Sequence, residues 1–371
     1  MFPYEQLQRY PDVEAPNLFA ADAADRLLVD TIGEAITEPG LVVIGDNYGA
    51  LTLAAAHRGN HNIRVHQDLV TSEEALTANA TRLGLTGTYT SSGLDPTLVR
   101  NASAILLRLP RSLDALKEIG ELIATHAPAS VTVYAGGMVK HMTPAMKTTL
   151  LSFFDTVGSS LAQQKARVLI AQHPRVIQPT TWPRRTFDAG AGMWICAHGG
   201  VFSGTTVDVG TRFLLSTLVN AVPHAQNAID LGCGSGVLAT SLALKRSEIR
   251  VIASDQSAAA CASTRATSLA NGVADRISVF RDNGLSQQPS GSADLIALNP
   301  PFHIGNAVHA GIALRLIRDA GRVVAPGGEV WTVWNSHLRY RGALERLIGP
   351  TRQIARNSLF TITASIRHSN G

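Results

Sequence analysis

The sequence predicts an α/β fold class, with two doubly wound Rossmann-like domains in tandem, the N-terminal one degenerate. One observation is a glycine turn, Asp230-Leu231-Gly232-Cys233-Gly234-Ser235-Gly236, between an apolar strand and a small, apolar helix. A second is a series of further strands, each followed by polar residues that would meet at one edge of a parallel sheet. A third is a degraded copy of the same pattern in the N-terminal half.

The glycine turn predicts an anion-binding bend at the start of a helix. Residues 228–229 are the apolar end of a predicted strand, and residues 237–244 are mostly small or apolar and are predicted to form a helix. Glycine lets the backbone bend sharply and lets a ligand lie against it. Val237 stands where a dinucleotide fingerprint has its third glycine, and Asp230 precedes the turn. Both features favour S-adenosylmethionine over NAD. We expect this donor to contact Asp230, Gly232, Cys233, Gly234 and Gly236, with Cys233 as a small filler rather than a nucleophile.

The next two predicted strands bring further polar residues to the same edge. Residues 249–253 lead to Asp255, which follows Gly236 at the interval where nucleotide sites place a carboxylate for the ribose hydroxyls. Residues 277–280 lead to Asp282 and Asn283, which suit the exocyclic amine of adenine. Structural roles remain open for each: Asp230 as a brace of the turn, Asp255 as a helix cap, and Asp282-Asn283 as an ordinary turn.

A fourth strand, residues 293–298, leads to Asn299-Pro300-Pro301-Phe302, downstream of the glycine turn and of the two strands that follow it. A planar exocyclic amine is a poor nucleophile, because its lone pair is delocalised into the ring, so it needs positioning more than a strong base. The Asn299 side-chain oxygen and the Pro300 carbonyl can accept hydrogen bonds from such an amine. Proline at 300 and 301 stiffens the backbone, and Phe302 offers a face for stacking. We expect these four residues to form the catalytic site.

With these motifs, the chain resembles the ribosomal RNA (guanine-N2)-methyltransferases that have two tandem methyltransferase-like domains, one of them degenerate. The resemblance spans nearly the whole chain, and the large-subunit branch fits better because of the opening segment, residues 7–11, and Asn335-Ser336-His337-Leu338. It implies that the segment from Phe202 to Arg212 lies against the donor pocket. Gly204 and Leu359 stand where relatives often carry basic residues, which bears on RNA contacts more than on chemistry.

The N-terminal half repeats the pattern without its chemistry. Residues 41–44, a turn from Gly45 to Gly49 and residues 50–56 again read as strand, turn and helix, but Asn47 replaces the middle glycine. The interval from Gly49 to Asp68 equals that from Gly236 to Asp255, and Arg108-Leu109-Pro110 stands where the acceptor motif is expected. We therefore expect a substrate-binding or scaffolding role for this half, and catalysis wholly in the second half.

Residues 173–185 contain three prolines and little periodicity, which indicates a connection. We place the domains at residues 1–178 and 179–371. Trp182, Arg184 and Arg185 could contact RNA by stacking and phosphate pairing, or Trp182 could pack against a domain in a solvated linker.

Composition agrees with an ordinary globular chain of 371 residues, 45% hydrophobic and 16% charged. The first residues begin no apolar signal core, so the cytoplasm is the expected location. Three cysteines without a CxxC pair fit free thiols, and no metal site is implied. A net charge of +4 permits a polyanionic partner without proving one.

The expected function is S-adenosylmethionine-dependent methylation of a guanine N2 amine in ribosomal RNA, with large-subunit 23S RNA favoured by the resemblance. Several alternatives remain open at this point. The substrate could be 16S RNA, or another planar amine such as a protein glutamine or an adenine. The chain could also be a non-catalytic RNA-binding assembly factor that retains a donor pocket.

Overall fold

The computed structural model describes residues 1–178, 182–300 and 307–367. The chain forms two compact units, Met1–Trp182 and Pro183–Gly371. Each unit contains its own mixed sheet covered by helices. Within the described residues, no helix is long and apolar enough to cross a membrane.

The first unit is built on a mixed sheet with the strand order β3-β2-β1-β4-β5-β7-β6. Its strands are β1 (Leu41–Ile44), β2 (Ile63–His66), β3 (Tyr89–Ser91), β4 (Ala104–Arg108), β5 (Thr132–Met138), β6 (Phe154–Ser159) and β7 (Ala166–Pro174). Its helices are α1 (Ala23–Ile32), α2 (Ala50–His57), α3 (Val70–Arg82), α4 (Pro96–Val99), α5 (Leu113–His126) and α6 (Pro144–Leu151). Strands β1 to β5 are parallel, and β7 is antiparallel to both β5 and β6.

The second unit opens with a two-stranded hairpin, β8 (Arg184–Asp188) and β9 (Met193–Ala197). The strands of its main sheet are β10 (Asn227–Leu231), β11 (Arg250–Asp255), β12 (Ile277–Arg281), β13 (Ala293–Leu298), β14 (Val324–Asn335), β15 (Thr351–Arg356) and β16 (Phe360–Ile366). Its helices are α7 (Val209–Leu218), α8 (Val237–Lys245), α9 (Ala258–Ala270), α10 (Ala307–Val323) and α11 (Arg341–Leu347). The strand order, β12-β11-β10-β13-β14-β16-β15, repeats that of the first unit.

The two sheets share the same winding. The chain runs outward from β10 to β11 and β12, and then returns to the other side of β10 as β13. This reversal opens a crevice at the carboxyl ends of β10 and β13, where doubly wound folds bind ligands. The equivalent reversal in the first unit lies between β1 and β4. The fold class predicted from the sequence is confirmed.

The central strands are buried on both faces, as expected of a parallel sheet covered by helices on each side. All four residues of β1 are buried, and four of the five residues of β10 are buried. Helix α8 consists mainly of small and apolar residues and lies largely inside the unit, with residues Val237 to Ala243 all buried. Because neighbouring residues pack against a buried helix on several sides, the turn that precedes it has a fixed position.

Trp182 ends the first unit, and its indole N–H donates to Glu121 Oε2 at 3.2 Å. Its side chain is therefore tied to α5 of the same unit. This contact agrees with the alternative in which Trp182 packs against a domain. Residues 179–181 lie outside the described residues, so the boundary placed between 178 and 179 stays a prediction.

Candidate active site

A cavity of about 430 Å³ lies at the carboxyl ends of β10, β11 and β13. It is lined by ten of the residues expected to form the site: Phe202, Asp230, Gly232, Cys233, Gly234, Asp255, Asp282, Asn283, Asn299 and Pro300. Pro301 and Phe302 lie outside the described residues. The volume is in the range of small-molecule sites, roughly 300–1,000 Å³.

The glycines of the turn serve two different purposes. Gly232 and Gly234 have φ of 77° and 54°, and a Cβ added to either would meet no atom within 4 Å. Their bare backbone therefore borders open space in the cavity. Gly236 also has a left-handed φ of 77°, but a Cβ there would lie 2.8 Å from Thr264 Cγ2. Gly236 thus allows α8 to approach α9, and it supports the turn rather than the cavity wall.

Asp230 is 1% exposed and holds the start of α8. Its Oδ2 accepts the Ala239 N–H at 2.9 Å, while Oδ1 is buried with no hydrogen-bond partner among the described residues. Burial raises the pKa of this carboxyl to about 7. The bracing role that the sequence left open is therefore present, and one oxygen remains available to a cation or a hydrogen-bond donor.

Asp255 connects the glycine turn to the next helix. Its Oδ2 accepts the Gly234 N–H at 3.0 Å and its Oδ1 accepts the Ser257 N–H at 3.0 Å. Ser257 itself caps α9, because its Oγ accepts the Ala260 N–H at 3.1 Å. The carboxylate thus fixes the geometry of the turn. Its expected contact with ribose hydroxyls stays a prediction.

The turn cysteine behaves as a buried filler. Cys233 is 6% exposed, and its Sγ accepts the Thr264 hydroxyl at 3.2 Å. Burial raises the pKa of its thiol well above the usual value, which keeps the sulfur protonated. The geometry is consistent with the structural interpretation of this residue.

Asp282 and Asn283 play separate parts. Asp282 is 3% exposed, and its carboxylate accepts the Ser286 hydroxyl at 2.5 Å and the Gln287 N–H at 3.0 Å. It therefore shapes the loop. The Asn283 Oδ1 is buried with no partner among the described residues, so an acceptor is left at the cavity. Of the pair, Asn283 is the better candidate to receive the adenine amine.

Asn299 is held on one side of its amide. Its Nδ2 donates to Thr211 Oγ1 at 2.9 Å and to Asp208 Oδ2 at 3.2 Å. Its Oδ1 is buried and has no partner among the described residues. Since both amide hydrogens are used by α7 and its cap, the orientation of the side chain is fixed and its acceptor oxygen is left unpaired.

Phe202 is the exposed aromatic residue of the cavity wall, with 67% of its surface accessible. It belongs to a loop that also contributes Ser203 and Thr206 to the cavity. The position agrees with the segment that the resemblance placed beside the donor pocket. An exposed aromatic ring at a cavity is available to stack on a planar ligand.

Comparison with known proteins identifies the family of the chain. Residues 192–364 match the family described as "Methyltransferase small domain", and residues 3–175 match the "RLMG N-terminal domain". A Streptomyces coelicolor protein named "Ribosomal RNA large subunit methyltransferase G" is 34% identical, covering 97% of this chain and 97% of its own length. The chain belongs to the ribosomal RNA large subunit methyltransferase G family. The family predicted from the sequence, with its large-subunit branch, is confirmed.

Other members of this family have similar identity. Proteins of the same name from Pseudomonas aeruginosa and Aeromonas salmonicida are each 34% identical over 97% of this chain, and cover 97% and 96% of their own lengths. A solved structure titled "T. Thermophilus 16S rRNA N2 G1207 methyltransferase (RsmC) in complex with AdoMet and Guanosine" has a TM-score of 0.75 and 19% identity. It covers 94% of this chain and 92% of its own. That likeness supports the tandem fold.

In this member of the ribosomal RNA large subunit methyltransferase G family, the turn of the first unit keeps the left-handed φ values of the glycine turn but carries different side chains. Asp46 is 2% exposed, and its two oxygens accept the Leu51 and Thr52 N–H groups, each at 2.8 Å. Asn47, which replaces the middle glycine, keeps a left-handed φ of 58°. Its N–H donates to Gln67 Oε1 at 3.1 Å, as Gly234 donates to Asp255.

The counterpart of Asp255 in the first unit is therefore Gln67, and the interval that pointed to Asp68 is wrong by one residue. The strand registers show this, because Ile44 pairs with His66 and Leu231 pairs with Ser254. The residue that follows is Gln67 in one unit and Asp255 in the other. The first unit thus lacks a carboxylate at this position.

The resemblance places Asp208 and Thr211 only within the segment beside the donor pocket and does not predict their contact with Asn299. Arg315 at the cavity wall is not predicted either. Asp208 caps α7 by accepting the Gly210 and Thr211 N–H groups at 3.0 and 3.1 Å, a role that an aspartate before a helix signals. Its contact with Asn299 spans 91 residues and leaves no local signal. Arg315 lines the cavity with a buried Nε that has no partner among the described residues.

Proposed function

We propose that this chain transfers a methyl group from S-adenosylmethionine to the exocyclic N2 amine of a guanine in large-subunit (23S) ribosomal RNA. The proposal combines the family of the chain with one structural observation. The Oδ1 of Asn299 is fixed in position and has no hydrogen-bond partner among the described residues. Because the substrate is ribosomal RNA, we also propose that the protein acts in the cytoplasm.

The cavity suits the methyl donor in shape and in polarity. Gly232 and Gly234 present open backbone, so a ligand can lie directly against the turn. Asp230 Oδ1 and Asn283 Oδ1 are acceptors without a partner among the described residues, which complement the charged ammonium and the adenine amine of S-adenosylmethionine. When bound, this donor supplies a methyl group on a positively charged sulfur. Phe202, Cys233, Gly236, Asp255 and Asp282 complete or support this pocket in our proposal.

Asn299 would position the guanine amine. Its Oδ1 accepts one N–H of the amine, and the Pro300 carbonyl accepts the other, so that the nitrogen points toward the donor. The ring of Pro300 fixes its φ and so stiffens the strand exit, and the residue is buried. In our proposal Pro301 and Phe302, outside the described residues, extend the same surface and stack on the base. No strong base is required, because the nitrogen is positively charged once it has taken the methyl group, and it then readily loses a proton to solvent.

The first unit is proposed to bind RNA or to act as a scaffold. At the position of Asn299 it has Arg108, which follows Leu107 as Asn299 follows Leu298. Arginine has no hydrogen-bond acceptor, so it cannot hold an amine. Flipping a guanine out of a folded RNA costs a few kcal/mol, which contacts far from the cavity can offset.

The experiment that tests this function is transfer of labelled methyl from S-adenosylmethionine to separated, unmodified 23S and 16S ribosomal RNA, with nucleoside analysis of the product. We expect N2-methylguanosine in 23S RNA alone. The same nucleoside in 16S RNA would move the substrate to the small subunit. Donor binding without transfer to either RNA would overturn the proposal.

A further inference from the structure

The β8–β9 hairpin has one face that is unusual for a solvent-exposed surface. Residues that pair directly across antiparallel strands lie on the same face, and Arg185 pairs with Cys196 while Phe187 pairs with Trp194. Phe187 is 50% exposed and Trp194 is 37% exposed. We define the hairpin face as Arg185, Phe187 and Trp194.

Trp194 contacts both other side chains of the hairpin face. The Arg185 guanidinium lies 3.9 Å from the centre of the Trp194 ring, and the Phe187 and Trp194 rings meet edge to face at 5.3 Å. A guanidinium over an indole keeps its charge exposed while covering apolar surface. The arrangement presents both positive charge and flat apolar rings to the solvent.

The hairpin face is also held rigidly. The Asn271 side chain bonds both outward backbone groups of Trp194, accepting its N–H at 3.0 Å and donating to its C=O at 2.7 Å. On β9 the residues to either side of Trp194 are packed inward, with Met193 and Ile195 at most 1% exposed. Trp194 is therefore displayed by a fixed strand rather than by a mobile loop.

The hairpin is joined to the wall of the cavity through a residue of its opposite face. Thr186, between Arg185 and Phe187, donates its hydroxyl to Thr205 Oγ1 at 3.0 Å. Thr205 lies in the loop that contributes Phe202, Ser203 and Thr206 to the cavity. An RNA strand that placed a base in the cavity past this loop would then reach the hairpin.

Charge on the hairpin face is positive. Asp188, the carboxylate of β8, pairs across the strands with Met193 and so lies away from Arg185 at the turn end of the hairpin. It is neutralised there by Arg212, 2.7 Å away. Arg185 is therefore not compensated by the acidic residue of its own strand. Proteins bind single-stranded nucleic acids with exposed aromatic rings, which stack on bases, and with nearby cations, which pair with phosphates.

We propose that the hairpin face binds unpaired nucleotides of the RNA that flank the target guanine. This inference rests on the proposed function, because it concerns the same RNA. It assigns stacking of a base to Phe187 and Trp194, and contact with a phosphate to Arg185.

The test compares Phe187→Ala and Arg185→Ala with Arg250→Ala. Arg250 is an exposed arginine at the start of β11, at the sheet edge opposite the cavity, so it controls for loss of one positive charge. Binding of unmodified 23S RNA, its salt dependence, donor affinity and N2-methylguanosine formation are measured for each variant. Thermal unfolding checks that each variant is folded.

We expect Phe187→Ala to weaken RNA binding by about 5- to 150-fold, from the stacking free energy of roughly 1–3 kcal/mol per base converted at about 1.4 kcal/mol per tenfold. Arg185→Ala should reduce the slope of log K against log salt by about 0.7, the value for one phosphate of a single strand. Donor affinity should not change, and Arg250→Ala should resemble the wild type.

Wild-type RNA affinity in both hairpin variants, or equal effects of Arg185→Ala and Arg250→Ala, would overturn the inference. If all variants bind RNA with wild-type affinity and still form N2-methylguanosine, the hairpin proposal fails and the proposed function stands. If the wild type binds RNA through the hairpin face without methylating it, the proposed function fails and the hairpin proposal stands. A hairpin face that captures a ribosomal protein but not RNA would also contradict the inference.

Discussion

Asp208 Oδ2 lies 3.2 Å from Asn299 Nδ2, and so the cap of α7 also fixes the amide of the acceptor motif. The same relationship exists in the first unit, where Asp22 caps α1 and bonds Arg108 at 2.9 and 3.0 Å. The scaffold is therefore common to both units. What differs is the side chain at the end of the strand, which offers an acceptor oxygen in Asn299 and only donors in Arg108.

Thr211 is predicted to act through Asn299. Thr211→Val removes the acceptor of one amide hydrogen while Asp208 still caps the helix. Because Asn299 would then be less firmly oriented, we expect methyl transfer at saturating substrates to fall by about 2- to 10-fold, the equivalent of one hydrogen bond. Donor affinity should not change. Thr217→Val, on the same helix with its hydroxyl on the Leu214 carbonyl, is the matched control and should leave transfer unchanged.

Asp230 is predicted to make stability depend on pH. Burial raises its pKa from 3.8 to about 7, so between these values the folded chain binds more protons than the unfolded chain. Stability therefore falls as pH rises through this window, by roughly 4 kcal/mol at most. Asp230→Asn cannot titrate. We expect its unfolding free energy, relative to wild type, to increase from about pH 4.5 to about pH 7.5, as measured by urea unfolding followed by fluorescence. If the unfolding free energies of the two proteins change with pH in parallel, the raised pKa of Asp230 is contradicted.

Gly236 is predicted to be required for close packing of α8 against α9. Gly236→Ala places a Cβ 2.8 Å from Thr264 Cγ2 at a φ of 77°. Gly272→Ala is the matched control, because its φ is 69° and its Cβ would meet nothing within 4 Å. The control should cost about 1–2 kcal/mol of unfolding free energy for the left-handed backbone. Gly236→Ala should cost about 1–3 kcal/mol more for the clash. Equal losses would show that the contact with Thr264 does not matter.

Arg108 is predicted to stabilise the first unit without taking part in catalysis. It pairs with Asp22 and, at 3.0 Å, with Asp25, which is 5% exposed. Arg108→Met would leave that carboxylate buried and without its cation, which costs about 3–5 kcal/mol. Arg175→Met breaks an exposed pair with Asp155 and should cost at most about 1 kcal/mol. Methyl transfer per folded molecule should be equal in both variants and in wild type; a specific loss in Arg108→Met would place part of the chemistry in the first unit.

The sequence was most informative for site residues that directly follow a predicted strand or turn. The glycine turn and the strands that lead to Asp255, Asn283 and Asn299 have local patterns, and a doubly wound fold brings strand ends together. It was less informative where residues meet across long intervals. The contact of Asp208 with Asn299 and the position of the Arg315 Nε at the cavity depend on how α7 and α10 pack, which no local spacing encodes.

Two further differences have physical reasons. Equal intervals after the two turns point to Asp68. The strand registers instead make Gln67 the equivalent of Asp255, because the connection from turn to strand is one residue shorter in the first unit. The prolines around Arg184 and Arg185 predict a connection. This stretch begins β8, whose five residues are mostly exposed and so lack the apolar alternation of a half-buried strand.

The most direct test of the account is a single-turnover comparison of wild type and Asn299→Ala, measuring both donor affinity and the rate of methyl transfer to 23S RNA. If the fixed Oδ1 of Asn299 positions the amine, donor affinity stays near normal and the rate falls by about 10²–10³. A wild-type rate in Asn299→Ala, or a loss confined to donor affinity, would contradict it.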